Sequence, residues 1–427
     1  MTPLTICIII FIISIVLYAT NKLPMGVVGL MTLAALIVCG CMKESTALSY
    51  FANKNVILLL SMFVVSTGLS RTSLIDKFSD TVTKLTGGSF KRTFFCYIIL
   101  VEILTSFLNS PLVAFSIVLP LLVSMCDEYD ISPSKIMFPV GLVSIACCCI
   151  LPFGAAIQQT GVYNGFLESY GMDIQFKATD FMVGRWPFLI IVPLWAFTMG
   201  YKIAPEKSPV PISLVTIARN EKKPLKKFSD IAGVIIFFAV VILFIFGNKV
   251  GLSSWLVCFI GALAMILCGV LNMKEAIAAL PINLAAMLVG ALAMAGALSE
   301  TGAGDVIGNA LAAAVGGIDN GYILGAIFFF IPFALTQVMQ NQAVMGIFVP
   351  ICLLTCQAIG ANPIGLMILI TAGALTAFMT PMATSSIPAI MGAGGYDIKS
   401  LVKQGWFASL IFMILYVAYT MTIMPAF

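Results

Sequence analysis

Residues 322–357 read YILGAIFFFIPFALTQVMQNQAVMGIFVPICLLTCQ, two apolar runs that meet at the polar triplet Gln340–Asn341–Gln342. Crossing hydrocarbon takes about 20 apolar residues per helix, and each run is short of that. The two are also joined too closely for the tip to reach water on the far side. The pattern therefore reads as a re-entrant hairpin with its polar tip inside the protein, because irregular backbone at that depth is tolerated only against protein or a water-filled cavity. The stretch 93–125, TFFCYIILVEILTSFLNSPLVAFSIVLPLLVSM, repeats the pattern with Asn109–Ser110–Pro111 at its tip.

Working outward, two longer apolar segments, 134–166 and 363–394, are interrupted. The first breaks at Pro152–Phe153–Gly154 and the second over Thr380–Pro381–Met382–Ala383–Thr384–Ser385–Ser386. Further apolar runs lie at 3–20, 24–41, 55–70, 186–201, 230–247, 253–271, 283–299 and 404–424. The whole chain of 427 residues is 61% hydrophobic and 9% charged, with a mean hydropathy of +1.10. Soluble domains carry about 25% charged residues, so the solvent here is lipid. The alternation a membrane barrel needs is absent. The expected fold is an all-α polytopic membrane protein with about ten spanning helices, two re-entrant hairpins and two broken helices. Thr2–Thr20 lacks a basic leader and a clear cleavage site, and reads as the first spanning helix. The 12 cysteines, Cys147–Cys148–Cys149 among them, mostly sit in apolar runs and read as small buried hydrophobes rather than a disulfide framework. The absence of histidine excludes histidine-based metal sites, triads and proton relays.

The two halves repeat. Asn55–Ser70 parallels Asn283–Ser299, Pro120 parallels Pro350, Pro133 parallels Pro363, Pro152 parallels Pro381 and Trp186 parallels Trp406. The division is a first repeat at 1–201, a basic linker at 202–229 and a second repeat at 230–427. Each repeat holds three scaffold helices, a hairpin (93–125 or 322–357), a broken helix (134–166 or 363–394) and a last helix (186–201 or 404–424). An odd number of spans per half inverts the second half relative to the first, and inverted repeats with paired broken helices mark secondary transporters. The linker holds Lys202, Lys207, Arg219, Lys222, Lys223, Lys226 and Lys227, which places it in the cytoplasm and both termini outside. The stretch 71–92 is basic, as an inner segment should be, and its partner 301–321 has Asp305 and Asp319 with no lysine or arginine.

A transport site needs polar groups at mid-membrane. Amides freed at a helix start hold negative charge, and carbonyls freed at a break hold cations. The candidates are Asn109 and Ser110 at the first tip, Gln340, Asn341 and Gln342 at the second, Gly154 at the first break, and Thr380, Thr384, Ser385 and Ser386 at the second. Gln158 and Gln159 add two amides beyond the first break. A lone hydroxyl in a spanning helix ordinarily bonds back to its own backbone; polar interruptions at matching places in two halves are what point to a site. Glu102 sits within FFCYIILVEILTSFL, where a charge costs roughly 3 kcal/mol on insertion scales. It reads as a proton site, a cation ligand or a structural partner. Arg185 adjoins Trp186 and reads as an interfacial anchor.

These residues, with TPMATSSIPAIMGAGGYDIKSLVKQGW at 380–406, resemble the divalent anion:sodium symporter family, part of a wider ion transporter superfamily that includes citrate carriers. The family's signature is Ser-Asn-Thr at each tip and Thr-Pro-x-Gly-Thr-Pro-Pro-Asn at each break. This chain keeps Asn341 at the second tip, Thr380, Pro381 and Thr384 at the second break, and Pro152 and Gly154 at the first. The resemblance implies substrate contacts from Asn109, Ser110, Gln340, Asn341, Gln342, Thr384 and Ser385. It implies sodium contacts from Asn109, Ser110, Gly154, Asn341 and Thr380. It further implies a homodimer in which hairpins, broken helices and last helices move as an elevator against a scaffold. A small anion, most simply a di- or tricarboxylate, is the expected partner, with sodium as coupling ion, no other cofactor and no nucleic acid. The competing readings are a proton-coupled or exchange-type exporter using Glu102, a channel, and an intramembrane enzyme. The enzyme lacks the carboxylate pair, metal cluster or activated nucleophile it would need.

Overall fold

The computed structural model describes residues 2–20, 22–74, 89–108, 110–212, 225–246, 251–315, 320–381, 383–384 and 386–427. Asn109, Met382 and Ser385 therefore lie outside the described residues, as do Arg219, Lys222 and Lys223 of the linker, Lys77 and Lys84 of the stretch 71–92, and Asp319. Among the described residues the structure is all helical, and it is an integral membrane fold. Among these residues six helices are long and apolar enough to cross a bilayer, seven if one bent pair is counted as a span, and further apolar helices are shorter.

The first half runs α1 (Pro3–Thr20), α2 (Met25–Val38), the short α3 (Glu44–Ser49), α4 (Lys54–Arg71), α5 (Phe90–Phe107), α6 (Pro111–Tyr129), α7 (Met137–Ala146), α8 (Gly154–Ser169), α9 (Ala178–Arg185) and α10 (Phe188–Trp195). The second half runs α11 (Lys227–Phe246), α12 (Ser254–Leu267), the short α13 (Met273–Ala279), α14 (Ile282–Thr301), α15 (Ala303–Val315), α16 (Gly321–Thr336), α17 (Asn341–Ile359), α18 (Pro363–Ala374), α19 (Ser386–Gly394) and α20 (Ile398–Ile423), with one long α20 where the first half has the pair α9–α10. The hairpins are α5–α6 and α16–α17, and the broken helices are α7–α8 and α18–α19.

Several boundaries differ from the apolar runs for identifiable reasons. The second arm of each hairpin is longer than its apolar run. α6 continues through Asp127–Glu128–Tyr129 because charge ends hydropathy without ending a helix, and α17 stops only where Gly360 takes a left-handed φ of 70°. α20 begins well before residue 404 because Asp397 caps it, accepting a bond from the Ser400 amide at 2.9 Å. The helix expected at 186–201 is the second arm of a bent pair, α9 and α10, which meet at 55° across Trp186–Pro187. Proline cannot donate to the carbonyl four residues back and clashes with it. The carbonyl so freed, Val183, accepts from the Tyr419 hydroxyl at 3.1 Å, and that of Gly184 accepts from Thr420 at 3.0 Å.

The halves are interleaved. α2 packs along α14 and α12 along α4, so the second helix of each half lies on the long third span of the other. The α2–α14 contact is nearly backbone on backbone. A Cβ at Gly290 would fall 2.2 Å from the Gly29 carbonyl oxygen, and one at Gly29 would fall 2.6 Å from that of Ala286. Where lipid tails are as apolar as leucine, close backbone approach through small residues is what joins helices. The broken helices also cross between halves: α7 lies against α19, and Tyr163 on α8 bonds Thr371 on α18. The Tyr396 hydroxyl donates to the Ser134 carbonyl at 2.7 Å and accepts from the Phe138 amide at 3.0 Å.

Candidate functional site

The two hairpin tips and both breaks meet at one cavity of about 410 Å³. Pro111 reaches it from the start of α6, Ala155 from the start of α8, Asn341 and Gln342 from the start of α17, and Thr384 from the turn before α19. Gln340, Cys148, Cys149, Gln158, Gln159, Thr371, Pro381 and Ala383 complete its polar and backbone lining, with Leu59, Phe63, Val162, Leu284, Met345 and Leu375 as apolar wall. No charged side chain is among them. α8 and α17 start without a side-chain cap, so their first-turn amides remain available. Helix starts carry partial positive charge, and here the first turns of α6, α8 and α17 face one space.

Two side chains in the wall have unmet donors. Gln158 and Gln159 are 6% and 5% exposed, and the amide nitrogen of each is buried without a well-formed hydrogen bond among the described residues, that of Gln159 having only the neighbouring Tyr163 hydroxyl within its reach. A buried polar group left without a partner costs about 1–3 kcal/mol. Both line the cavity, so an acceptor placed there would meet them.

The second tip is knitted to the second break. With its amide nitrogen turned inward, the orientation that satisfies the surrounding groups, Asn341 donates to the Ala383 carbonyl and approaches the Thr336 hydroxyl, both at 2.9 Å, with the Ala374 carbonyl at 3.2 Å. Gln337 donates to the Thr376 carbonyl at 3.1 Å and accepts from the Met379 amide at 3.3 Å, while the Thr380 hydroxyl donates to the Gln337 carbonyl. Gln340, Asn341, Gln342 and Thr384 are thus brought together. Thr380, Gly154 and Ser110 adjoin the cavity without being part of its wall, and Ser110 caps α6 by accepting from the Val113 amide at 3.4 Å. Ser386 is buried with its hydroxyl unpartnered. Glu102 is 8% exposed, stands away from the wall, and makes no ion pair among the described residues.

The first break corrects the sequence reading twice. It opens at Cys147, before Pro152–Phe153–Gly154, and runs to Phe153. The cysteines are free and buried, as expected, yet they form the irregular backbone itself, with Cys149 at a left-handed φ of 60°. Such a conformation costs a residue with a Cβ of order 1–3 kcal/mol and gathers at functional sites. Arg185 is not an interfacial anchor. It is fully buried, and its guanidinium donates to the carbonyls of Ala146 (3.0 Å), Cys148 (3.3 Å) and Cys149 (3.2 Å) and to the Tyr416 hydroxyl (3.3 Å). The adjacent tryptophan suggested a surface; the bend at Pro187 separates the two, leaving Trp186 46% exposed while Arg185 faces the break. Thr336, Gln337 and Arg185 carried no sequence signal for these roles, because the carbonyls they hold come from distant breaks.

Two helical hairpins and two broken helices around a neutral, donor-rich cavity define a carrier of the polytopic membrane class. The comparisons agree. The model of the citrate transporter family (CitMHS) matches residues 15–250 and 241–427, and the chain belongs to that family. An uncharacterized transporter of Haemophilus influenzae is 22% identical over 415 residues, covering 93% of this chain and 87% of the relative. The putative malate transporter YflS of Bacillus subtilis is 24% identical over 62% of this chain and 58% of its own length. A sodium-dependent dicarboxylate transporter, SdcS of Staphylococcus saprophyticus, is 27% identical over 34% of this chain and 28% of its length. In fold, the chain is similar to Neisseria gonorrhoeae MtrF, with a TM-score of 0.59 at 14% identity over 98% of this chain and 94% of that one. It is likewise similar to the Alcanivorax borkumensis YdaH transporter, with a TM-score of 0.57 at 12% identity over 88% and 86%.

Proposed function

We propose that this transporter moves a small di- or tricarboxylate, coupled to sodium, by an elevator motion within a homodimer. The observation that carries the reading is the pair of orphan donors, Gln158 and Gln159, in a cavity that holds helix starts and no acidic side chain. An anion satisfies both amides and gains from the helix starts, whereas a cation would face donors. The names of the YflS and SdcS relatives point to the same substrate class. The tip and break oxygens of Ser110, Gly154, Asn341 and Thr380 are the candidate sodium ligands, together with Asn109. The cross-packed α2–α14 and α4–α12 pairs serve as scaffold, with the hairpins, broken helices and the last helices, α10 and α20, as the moving part. In this arrangement both termini lie outside and the linker 202–229 in the cytoplasm of a cell membrane.

The first test is thermal stability of the purified protein with succinate, malate and citrate, each in sodium and in potassium. A ligand that binds only the folded state raises its stability by mass action, by about 2.7 kcal/mol at a hundredfold excess over Kd. Stabilisation that needs both a carboxylate and sodium is expected; no response to any carboxylate would sink the reading. Stabilisation indifferent to sodium but steep in pH would shift coupling to protons and favour the second reading, an exchanger or exporter using Glu102, whose buried, ion-pair-free position is what recommends it. Orientation is checked separately. Cysteines placed at Lys207 and Asp305, both exposed, in a background lacking the exposed Cys39, should be labelled from opposite faces of sealed vesicles. The same face for both would remove the inversion.

A further inference from the structure

Arg185 is a full positive charge buried in the protein with no negatively charged side chain bonded to it among the described residues. Its four acceptors are three backbone carbonyls and a phenol, all neutral, and it forms no salt bridge among the described residues. Its Nε has no partner at all. A buried charge is normally paired, since desolvating it alone costs several kcal/mol. The guanidinium lies one peptide behind the cavity: Cys148 and Cys149, whose carbonyls it holds, are wall residues.

The repeat shows that the fold does not demand this charge. In the second half the carbonyls that end α18 and open its break, Ala374 and Thr376, are held by the neutral side chains of Thr336, Asn341 and Gln337. Aligning Trp186 with Trp406 places Gly405 opposite Arg185, and no cation occupies that position. Neutral amides thus close one break and a cation closes the other. The negative end of α7 points toward the cavity and would disfavour an anion; the guanidinium cancels that end and leaves positive charge in excess. Glu102, the other charged group near enough to Cys147 to act on it, makes no bond to Arg185.

We propose that Arg185 sets the charge selectivity of the cavity: without touching the substrate, it supplies through the first break the positive charge that makes multivalent carboxylates preferred over monovalent or neutral ones. This rests on the anion reading above and names the group behind it. Arg185 is a positioning and electrostatic residue, so its signature is a loss that scales with substrate charge, which a purely structural role would not give.

The experiment measures binding of acetate, succinate, succinate monoamide and citrate by thermal-shift titration of the purified chain in sodium-containing buffer at pH 7.5. Wild type, Arg185→Gln and Arg185→Lys are compared. A unit charge about 12 Å from the substrate, at an effective dielectric near 20, is worth about tenfold in affinity per unit of substrate charge. Arg185→Gln should therefore lose about tenfold more affinity for citrate than for succinate, and about tenfold more for succinate than for its monoamide. Arg185→Lys should keep the wild-type order of preference even where every affinity falls. Equal losses for all four probes in Arg185→Gln would overturn the proposal and leave the anion reading standing. So would a wild type that binds succinate and its monoamide equally, whether or not either variant folds. A wild type stabilised by none of the probes would overturn the anion reading, and the proposal with it.

Discussion

Gln159→Glu is expected to weaken carboxylate binding by at least about a hundredfold while the ligand-free protein still folds. The side chain keeps its size, so the packing around it at 5% exposure has no cavity to fill. What changes is chemistry: an unpartnered donor in the wall becomes an acceptor-only carboxylate when ionised. The substrate loses a charge-assisted hydrogen bond, typically 1.5–3 kcal/mol, and meets a like charge in a wall that carries no charged side chain of its own. Together these approach 3 kcal/mol or more, which is about two orders of magnitude in Kd. Titration of wild type and variant with succinate in sodium reads the effect directly. Unchanged affinity would take Gln159 out of the binding site and leave the orphan amide without an explanation.

Asn341→Ala should abolish transport and also lower the stability of the ligand-free protein, by about 2 kcal/mol. Asn341 is at once a wall residue and the clasp between the second tip and the second break. Its amide serves the Ala383 carbonyl at 2.9 Å and lies 3.2 Å from that of Ala374. Removing it strips the donor from the Ala383 carbonyl, one of two donors from that of Ala374, which keeps Thr336, and a partner from the Thr336 hydroxyl, and each buried group left unsatisfied costs about 1–3 kcal/mol. Water entering from the cavity offsets part of that loss, hence the smaller figure. The wall loses its position together with its polar group, because α17 begins at this residue. Reconstituted uptake and thermal denaturation together separate the two effects. Normal uptake with an unshifted melting temperature would mean that the tip does not depend on Asn341 for either task.

How much of this was readable beforehand differs between the repeat halves. The second tip and second break were legible because their residues are polar: Gln340, Asn341, Gln342 and Thr384 interrupt apolar runs and do come together. The first break was misplaced because its irregular backbone begins at three cysteines, which in sequence are indistinguishable from any other small buried hydrophobe. Gln158 and Gln159 were visible as amides beyond the break, but only the packing around them reveals that their nitrogens lack partners. Arg185 was misread outright. Its neighbour Trp186 is exposed as a membrane-interface residue would be, and the bend at Pro187 that sends the two side chains to different environments is a tertiary matter, stabilised by Tyr419 and Thr420 from the far end of the chain.

The amino-acid sequence by itself determined the solvent, the helical class, and the doubled order of hairpin and broken helix. Each follows from hydropathy and from where proline and polar residues interrupt it, which are local properties. Only the tertiary structure decided which freed carbonyls receive a charge and which receive a neutral amide, and therefore where the positive potential of the cavity arises. Hydrogen bonds such as those of Arg185 to residues 36–39 positions away depend on how helices cross, and no local pattern encodes that crossing.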